Sequence, residues 1–194
     1  MILFTVFNIK MKIEITEATT TEELKEILSL QEKNHRDTLS HGKGLEDGFL
    51  SLKHELLLLE KMNAVVPQII AKAENKVVAF ALVMPVSFKA DVPVLIPLFE
   101  MLNNISYKDK KIVDYNYYVM GQICVDEAYR AMGIFDGLYA KHKEIYSTKF
   151  DICVTEIASH NGRSMKAHQR VGFEIIHTFR DQTNEWNIVV WNWK

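Results

Sequence analysis

Ile13 and Ile15 stand between polar residues from Lys12 to Thr16, a period of two that predicts a first strand. Thr20 and Glu23 then have the Thr-x-x-Glu spacing of a capping box. The stripe Leu24, Ile27, Leu28, Gln31 carries the helix that follows to about Asn34. His41 to Gly44 reads as a loop, and apolar residues at 45, 49, 52, 56 and 59 predict a second helix from Leu45 to Met62. Gln68 to Ala73 and Val77 to Val86 are β-rich runs joined by a hairpin at Glu74-Asn75-Lys76. Ser87 to Ile112 breaks regular spacing and reads as an inserted loop with a short helix. After it come a long strand, Tyr115 to Val125, and an amphipathic helix, Ile134 to Tyr146. A buried strand from Asp151 to Ile157 and a helix from Arg163 to Val171 complete a strand-helix-strand-helix run. Phe173 to Phe179 and Trp186 to Trp193 are the last two strands, joined across Asp181 to Glu185.

This order predicts an α/β (α+β) fold. Its central sheet is mixed and largely antiparallel, with one parallel strand-helix-strand pair and helices on both faces. A chain of 194 residues suits one such domain. We expect residues 11–194 to form it, with no internal repeat, low-complexity segment or linker. Residues 1–10 are apolar but lack a basic start and a small-residue cleavage site, so a secretory signal is not expected. Met11 heads the first strand, and translation from there, with 1–10 as an extension of the gene reading, is an expectation that intact mass would test.

Composition narrows the classes. Basic and acidic residues number 23 and 25, for a net charge of −2, which disfavours nucleic acid as a partner. No apolar run approaches a membrane span of about 18 residues. Two cysteines exclude a disulfide scaffold, and a cytoplasmic setting with both thiols reduced is expected. Cys124 falls late in its strand and Cys153 early in the next, so they should not pair. His35 and His41 have no metal-ligand spacing, and no metal site is expected. Trp191 and Trp193 share a strand face suited to core or subunit packing, which leaves a homodimer open.

The chemistry concentrates in two stretches. In the first, the strand ending at Val125 is followed by a short turn, then Arg130-x-x-Gly133, and a helix begins at once. Backbone N–H groups at a helix start have no internal partner, and with the helix dipole they favour an anion. Gly133 allows close approach, and Arg130 adds a fixed positive charge. No G-x-G-x-x-G and no G-K-[S/T] is present, so this is neither a dinucleotide fingerprint nor a Walker loop. The second stretch is Asn161 to Phe173, a helix with Asn at its entry and Val171-Gly172-Phe173 at its end, where Gly172 suits a helix stop.

Together these stretches resemble the GNAT superfamily of acyl-CoA-dependent N-acetyltransferases. Arg130-x-x-Gly133-x-Phe135 matches that family's [Q/R]-x-x-G-x-[G/A] loop at two of three fixed positions, and Asn161 through Gly172-Phe173 matches its N-x-x-[A/S]-…-G-F segment. The resemblance covers residues 115–193 at motif level and implies direct acetyl transfer from acetyl-CoA to an amine. It assigns the main chain of Ile123, Cys124 and Val125 to the pantetheine and acetyl carbonyl. The amides of Arg130, Ala131, Met132, Gly133, Ile134 and Phe135 would hold the pyrophosphate, with Asn161 and Ser164 nearby.

Two departures follow. Phe135 replaces a small residue, so its ring must turn away from the phosphate. His168 stands where many members carry a Tyr that protonates the leaving thiolate; it either takes that role or packs beside CoA. Glu156, near the end of its strand, is the candidate general base, with Asp126 and Glu127 as weaker ones. Each of these carboxylates can equally be a solvated side chain. Tyr115, Tyr117 and Tyr118 either line an acceptor pocket or pack the strand, and Cys124 reads as a buried thiol. A small-molecule amine is the expected acceptor. The competing function is a non-catalytic acyl-CoA-binding or regulatory domain of the same fold.

Overall fold

The computed structural model describes residues 12–35, 53–182 and 184–194. The expected loop at His41 to Gly44, the stripe at 45, 49 and 52, and residues 1–10 lie outside them.

Strand β1 (Ile13–Glu17) leads to helix α1 (Thr21–Lys33), and the capping box forms. Glu23 N–H donates to Thr20 Oγ1 at 3.2 Å, while Glu23 Oε2 accepts from the N–H groups of Thr19 and Thr20. Helix α2 spans Leu56–Val65. The sequence pattern carried that helix unbroken through residues 53–55, but these are not helical. His54 is held to α1 instead: its N–H donates to Gln31 Oε1 at 3.3 Å and its ring lies 2.9 Å from Gln31 Nε2.

Strands β2 (Ile69–Ala73) and β3 (Lys76–Pro85) form the expected hairpin. Its two turn residues, Glu74 and Asn75, both have positive φ, the geometry that matches strand twist. The insertion folds into helix α3 (Ile96–Leu102) and a small hairpin, β4 (Ser106–Tyr107) with β5 (Lys110–Lys111), which periodicity did not predict. Then come β6 (Tyr117–Val125), α4 (Ile134–Tyr146), β7 (Ile152–Ala158), α5 (Gly162–Val171), β8 (Glu174–Arg180) and β9 (Glu185–Asn192).

The strands form one seven-stranded sheet in the order β1-β2-β3-β6-β7-β9-β8. Every neighbouring pair is antiparallel except β6 and β7. On one face Leu138, Tyr139 and Tyr146 of α4 pack over Ala71, Ala81, Tyr118, Cys153, Val189 and Trp191. On the other, α1 and α2 cover Ile70, Phe80, Leu82 and Cys124, while the insertion covers Tyr117, Val119, Ile152, Val154 and Ile188. Cys124 and Cys153 are therefore free thiols in the cores of opposite faces. Trp191 and Trp193 meet at 5.4 Å on the α4 face. Among the described residues no helix is long and apolar enough to cross a membrane.

Helix α5 stops where Gly172 turns left-handed, at φ 116°. Its N–H donates to Gln169 O at 3.1 Å and that of Phe173 to His168 O at 3.0 Å, so two terminal carbonyls are satisfied. A Cβ at Gly172 would lie 2.5 Å from Trp191 Nε1. Gly172→Ala is therefore expected to destabilise the fold by about 2 kcal/mol or more, from backbone strain plus that clash. Gly162→Ala, at an open helix start, should be neutral or stabilising by about 0.5 kcal/mol. Urea unfolding of the two variants checks the contrast.

Candidate active site

The parallel ladder between β6 and β7 holds only three residue pairs, Tyr117 with Ile152, Tyr118 with Cys153 and Val119 with Val154. Both strands continue past it, to Val125 and Ala158. At the parting point Thr155 Oγ1 donates to Met120 O at 2.9 Å, a side chain taking the place of a ladder bond. Beyond that tie the strands separate and leave a gap in the middle of the sheet.

A bulge lies beside the gap. Ile123 pairs with Ala81 and Met120 with Val83, so Gly121 and Gln122 together oppose Leu82. The extra residue resets which side chains share a face. Met120, Ile123 and Val125 lie toward α4, while Cys124 lies toward α1. Asp126 N–H donates to Val78 O at 2.9 Å, so alternation directs the main chain of Cys124 to β3 and that of Ile123 and Val125 to the gap.

Past Val125 the chain makes a 3-10 turn, Glu127–Tyr129, capped by Asp126 Oδ1 accepting from Ala128 N–H at 3.1 Å. Asp126 also pairs with Lys33 at 2.7 Å, and Glu127 is exposed. Neither carboxylate is directed at the gap by a contact. Arg130 Nε donates to Val125 O at 3.4 Å, which keeps the guanidinium at the gap's end. Ala131 holds φ 61° and Gly133 φ 75°. A left-handed alanine costs about 1–2 kcal/mol and marks a locally strained turn. Gly133 leads into α4 with no side-chain cap, and a Cβ there would meet nothing within 4 Å. The start of α4 thus has open space at Gly133, beside Ala131 and Met132, both exposed. Ile134 is buried below them.

The Phe135 ring lies under the cradle, 5.1 Å from Tyr139 and 5.2 Å from His168. Asn161 caps α5, accepting from Ser164 N–H at 3.0 Å. His168 is 2% exposed. Its Nδ1 lies 2.8 Å from Ser164 O, a group that can only accept, so Nδ1 carries the proton. Nε2 then accepts from the Tyr139 hydroxyl at 2.7 Å. Burial pushes its pKa down to about 4. The expected proton donation by His168 to a leaving thiolate therefore does not fit: both nitrogens are engaged and the ring is neutral near pH 7. The ring packs between α4 and α5.

The three tyrosines also resolve to packing. Tyr118 is fully buried and bonds His142 Nδ1 at 2.8 Å, Tyr117 is in the opposite core, and the Tyr115 hydroxyl donates to Tyr107 O at 2.9 Å. Burial raises the Cys124 thiol to about 12, so it is not a nucleophile.

On the face away from α4, Glu156 stands on β7 opposite Ile188. Burial first, and then the charge of Asp181, push its carboxyl up to about 7. Near the bulge is a group the motifs did not point to. Gln31 Nε2 donates to Gln122 Oε1 at 2.6 Å and to His54 Nδ1 at 2.9 Å, and all three residues are buried. His54 also lines a cleft of about 450 Å³ between α2 and the insertion, with Lys53, Leu58, Lys61, Asp91 and Val92. A polar Gln31 in the apolar stripe of α1 was its one sequence signal.

No known family profile and no curated protein sequence matches the chain. Solved structures do. The ribosomal-protein-S18-alanine N-acetyltransferase of Escherichia coli superposes with a TM-score of 0.61 at 12% identity, covering 93% of this chain and 94% of that one. An acetyltransferase of the GNAT family from Streptococcus pneumoniae gives 0.60 at 13%, covering 92% and 98%. A chain of the NatC complex bound to Gag peptide and CoA gives 0.62 at 13%, covering 94% and 99%. The chain has the GNAT N-acetyltransferase fold.

Three buried histidines shape the pH response. Burial holds His54, His142 and His168 at about 4, 3 and 4. Unfolded, each takes up a proton near pH 6.5, which the folded chain declines. Glu156 acts in the opposite sense, since it is protonated in the fold below about 7 and in the unfolded chain only below its ordinary value of 4.5. Unfolding between pH 6 and 4.5 should thus take up about two protons, and stability should fall by about 2–3 kcal/mol per pH unit. Urea midpoints at pH 7, 6 and 5 check this; a midpoint that does not fall on acidification contradicts it.

Proposed function

We propose that the protein is an acetyl-CoA-dependent N-acetyltransferase that moves the acetyl group directly from the thioester to a primary amine of a small molecule. The observation that carries this is the gap between β6 and β7, lined by the main chain of Ile123 and Val125 and ending at the uncapped start of α4. In this reading the pantetheine arm lies along Ile123 and Val125, with the Cys124 main chain spent on β3. The loop amides from Ala131 to Phe135 hold the pyrophosphate; the Arg130 N–H, expected among them, is donated to Glu127 O at 3.3 Å instead, which leaves Arg130 as the fixed cation, with Asn161 and Ser164 at the neighbouring helix start. The likeness to a CoA-bound structure supports the donor.

The acceptor comes from the other face. A carboxyl poised at about 7 can take the ammonium proton near neutral pH, so Glu156 is the proposed general base. The amine nitrogen then attacks the acetyl carbon, its carbonyl polarised by a gap-facing N–H; the C–S bond breaks to release CoA as the thiolate, and the second proton shed by the new amide nitrogen goes to that sulfur or to water. The His54 cleft lies two hydrogen bonds from the bulge through Gln31 and Gln122, which supports it as the acceptor entrance. Lys53 and Lys61 balance Glu55 and Asp91 in its lining, and a polyamine would favour an acidic excess. The engaged His168 favours a second reading, a non-catalytic acyl-CoA-binding domain.

Thiol release from acetyl-CoA with a panel of small amines, spermidine and peptide amino termini separates these readings. Turnover confined to small amines is expected. Turnover of peptides alone would move the acceptor to protein or peptide amines; the names of two structural relatives include a ribosomal protein and a peptide. CoA binding without thiol release would favour the second reading. Glu156→Gln should lower kcat/KM about 100-fold or more at pH 7 and remove the limb of the pH profile near 7, with KM for acetyl-CoA within about twofold of the parent value.

A further inference from the structure

Asp136 is the third residue of α4, in the turn whose free N–H groups form the anion cradle. A carboxylate there suits the helix dipole while the cradle is empty. It opposes a diphosphate, because like charges would then lie within one helical turn of each other. Arg170, in the last turn of α5, closes on it with a two-pronged contact: Nε to Oδ2 at 3.1 Å and Nη2 to Oδ1 at 2.6 Å. This planar fork offsets the carboxylate's charge.

The pair is poorly suited to a purely structural role. Both side chains are about half exposed, where such pairs add little to stability. The two helices are already joined beneath it by Phe135, Tyr139 and His168. We infer that Arg170 is a positioning residue that sets the cradle's affinity for a diphosphate by neutralising Asp136. This rests on the reading of the Arg130 to Phe135 loop as the site of the CoA pyrophosphate.

The test is CoA binding, by calorimetry, to the full chain and to Arg170→Ala, Asp136→Asn and the double variant. At about 50 mM NaCl, Arg170→Ala should bind CoA about three- to tenfold more weakly, and at about 500 mM that loss should shrink. Asp136→Asn should bind at least as tightly as the parent protein, and the double variant should return to within about twofold of it. Rescue and salt sensitivity are responses that a lost helix clamp would not give; thermal melts of the same four proteins record any effect on the fold. Parent-like binding by Arg170→Ala overturns the inference. So does a double variant as weak as Arg170→Ala, which would make Arg170 a direct contact of CoA. A parent protein that does not bind CoA would bring down the cradle reading itself and the inference with it.

Discussion

The short parallel ladder between β6 and β7 is the constraint on which the rest depends. Three residue pairs join the strands, and the two then part within a sheet that is otherwise continuous. Parting a sheet leaves backbone donors and acceptors without partners, at a cost unless something else satisfies them. Thr155 takes the first of these groups, the carbonyl of Met120, and Arg130 takes another, the carbonyl of Val125. The groups left between them are those on which the proposed binding of an extended, hydrogen-bonding arm relies. The bulge at Gly121-Gln122 adjusts β6 to this task while β3 keeps its ladder on the other edge.

Charge is handled locally throughout. A near-neutral chain has no broad field with which to attract a polyanion. What it has is an uncapped helix start, Arg130 on one side and an acid already neutralised by Arg170 on the other. Beneath that surface two buried histidines are neutral and paired. His142 donates from Nε2 to Ala81 O and accepts from Tyr118, and His168 is matched in the same way between Ser164 and Tyr139. Such pairing makes the α4 face rigid at neutral pH. Glu156 differs: burial, and then the charge of Asp181, raise its carboxyl.

Much of the fold was legible because its signals are local. The capping box at Thr20, the bounds of α4 and the glycine stop of α5 all rest on contacts within a few residues. The two motifs likewise marked the loop at Arg130 to Gly133 and the helix at Asn161, since a left-handed glycine before a helix and a capping Asn are local features. The helix pattern failed at residues 53–55, where docking of His54 on α1 overrides periodicity. The small hairpin of the insertion carries too few residues to show a period.

What the sequence by itself determined is the strands and helices of the main sheet, their order, and the positions of the glycines and the arginine of the proposed cradle. Tertiary structure decided which side chains meet across elements. Strict alternation along β6 would set Met120 on the same face as Gln122 and Cys124; the bulge instead joins Met120 with Ile123 and Val125 and turns Cys124 away. His168 matches a catalytic position by spacing, yet Tyr139, 29 residues earlier, takes its lone pair. Gln31 and Gln122 are 91 residues apart and meet at 2.6 Å. Spacing along the chain records local geometry alone, whereas the direction of a side chain and the charge it carries depend on neighbours that only the packed sheet brings together.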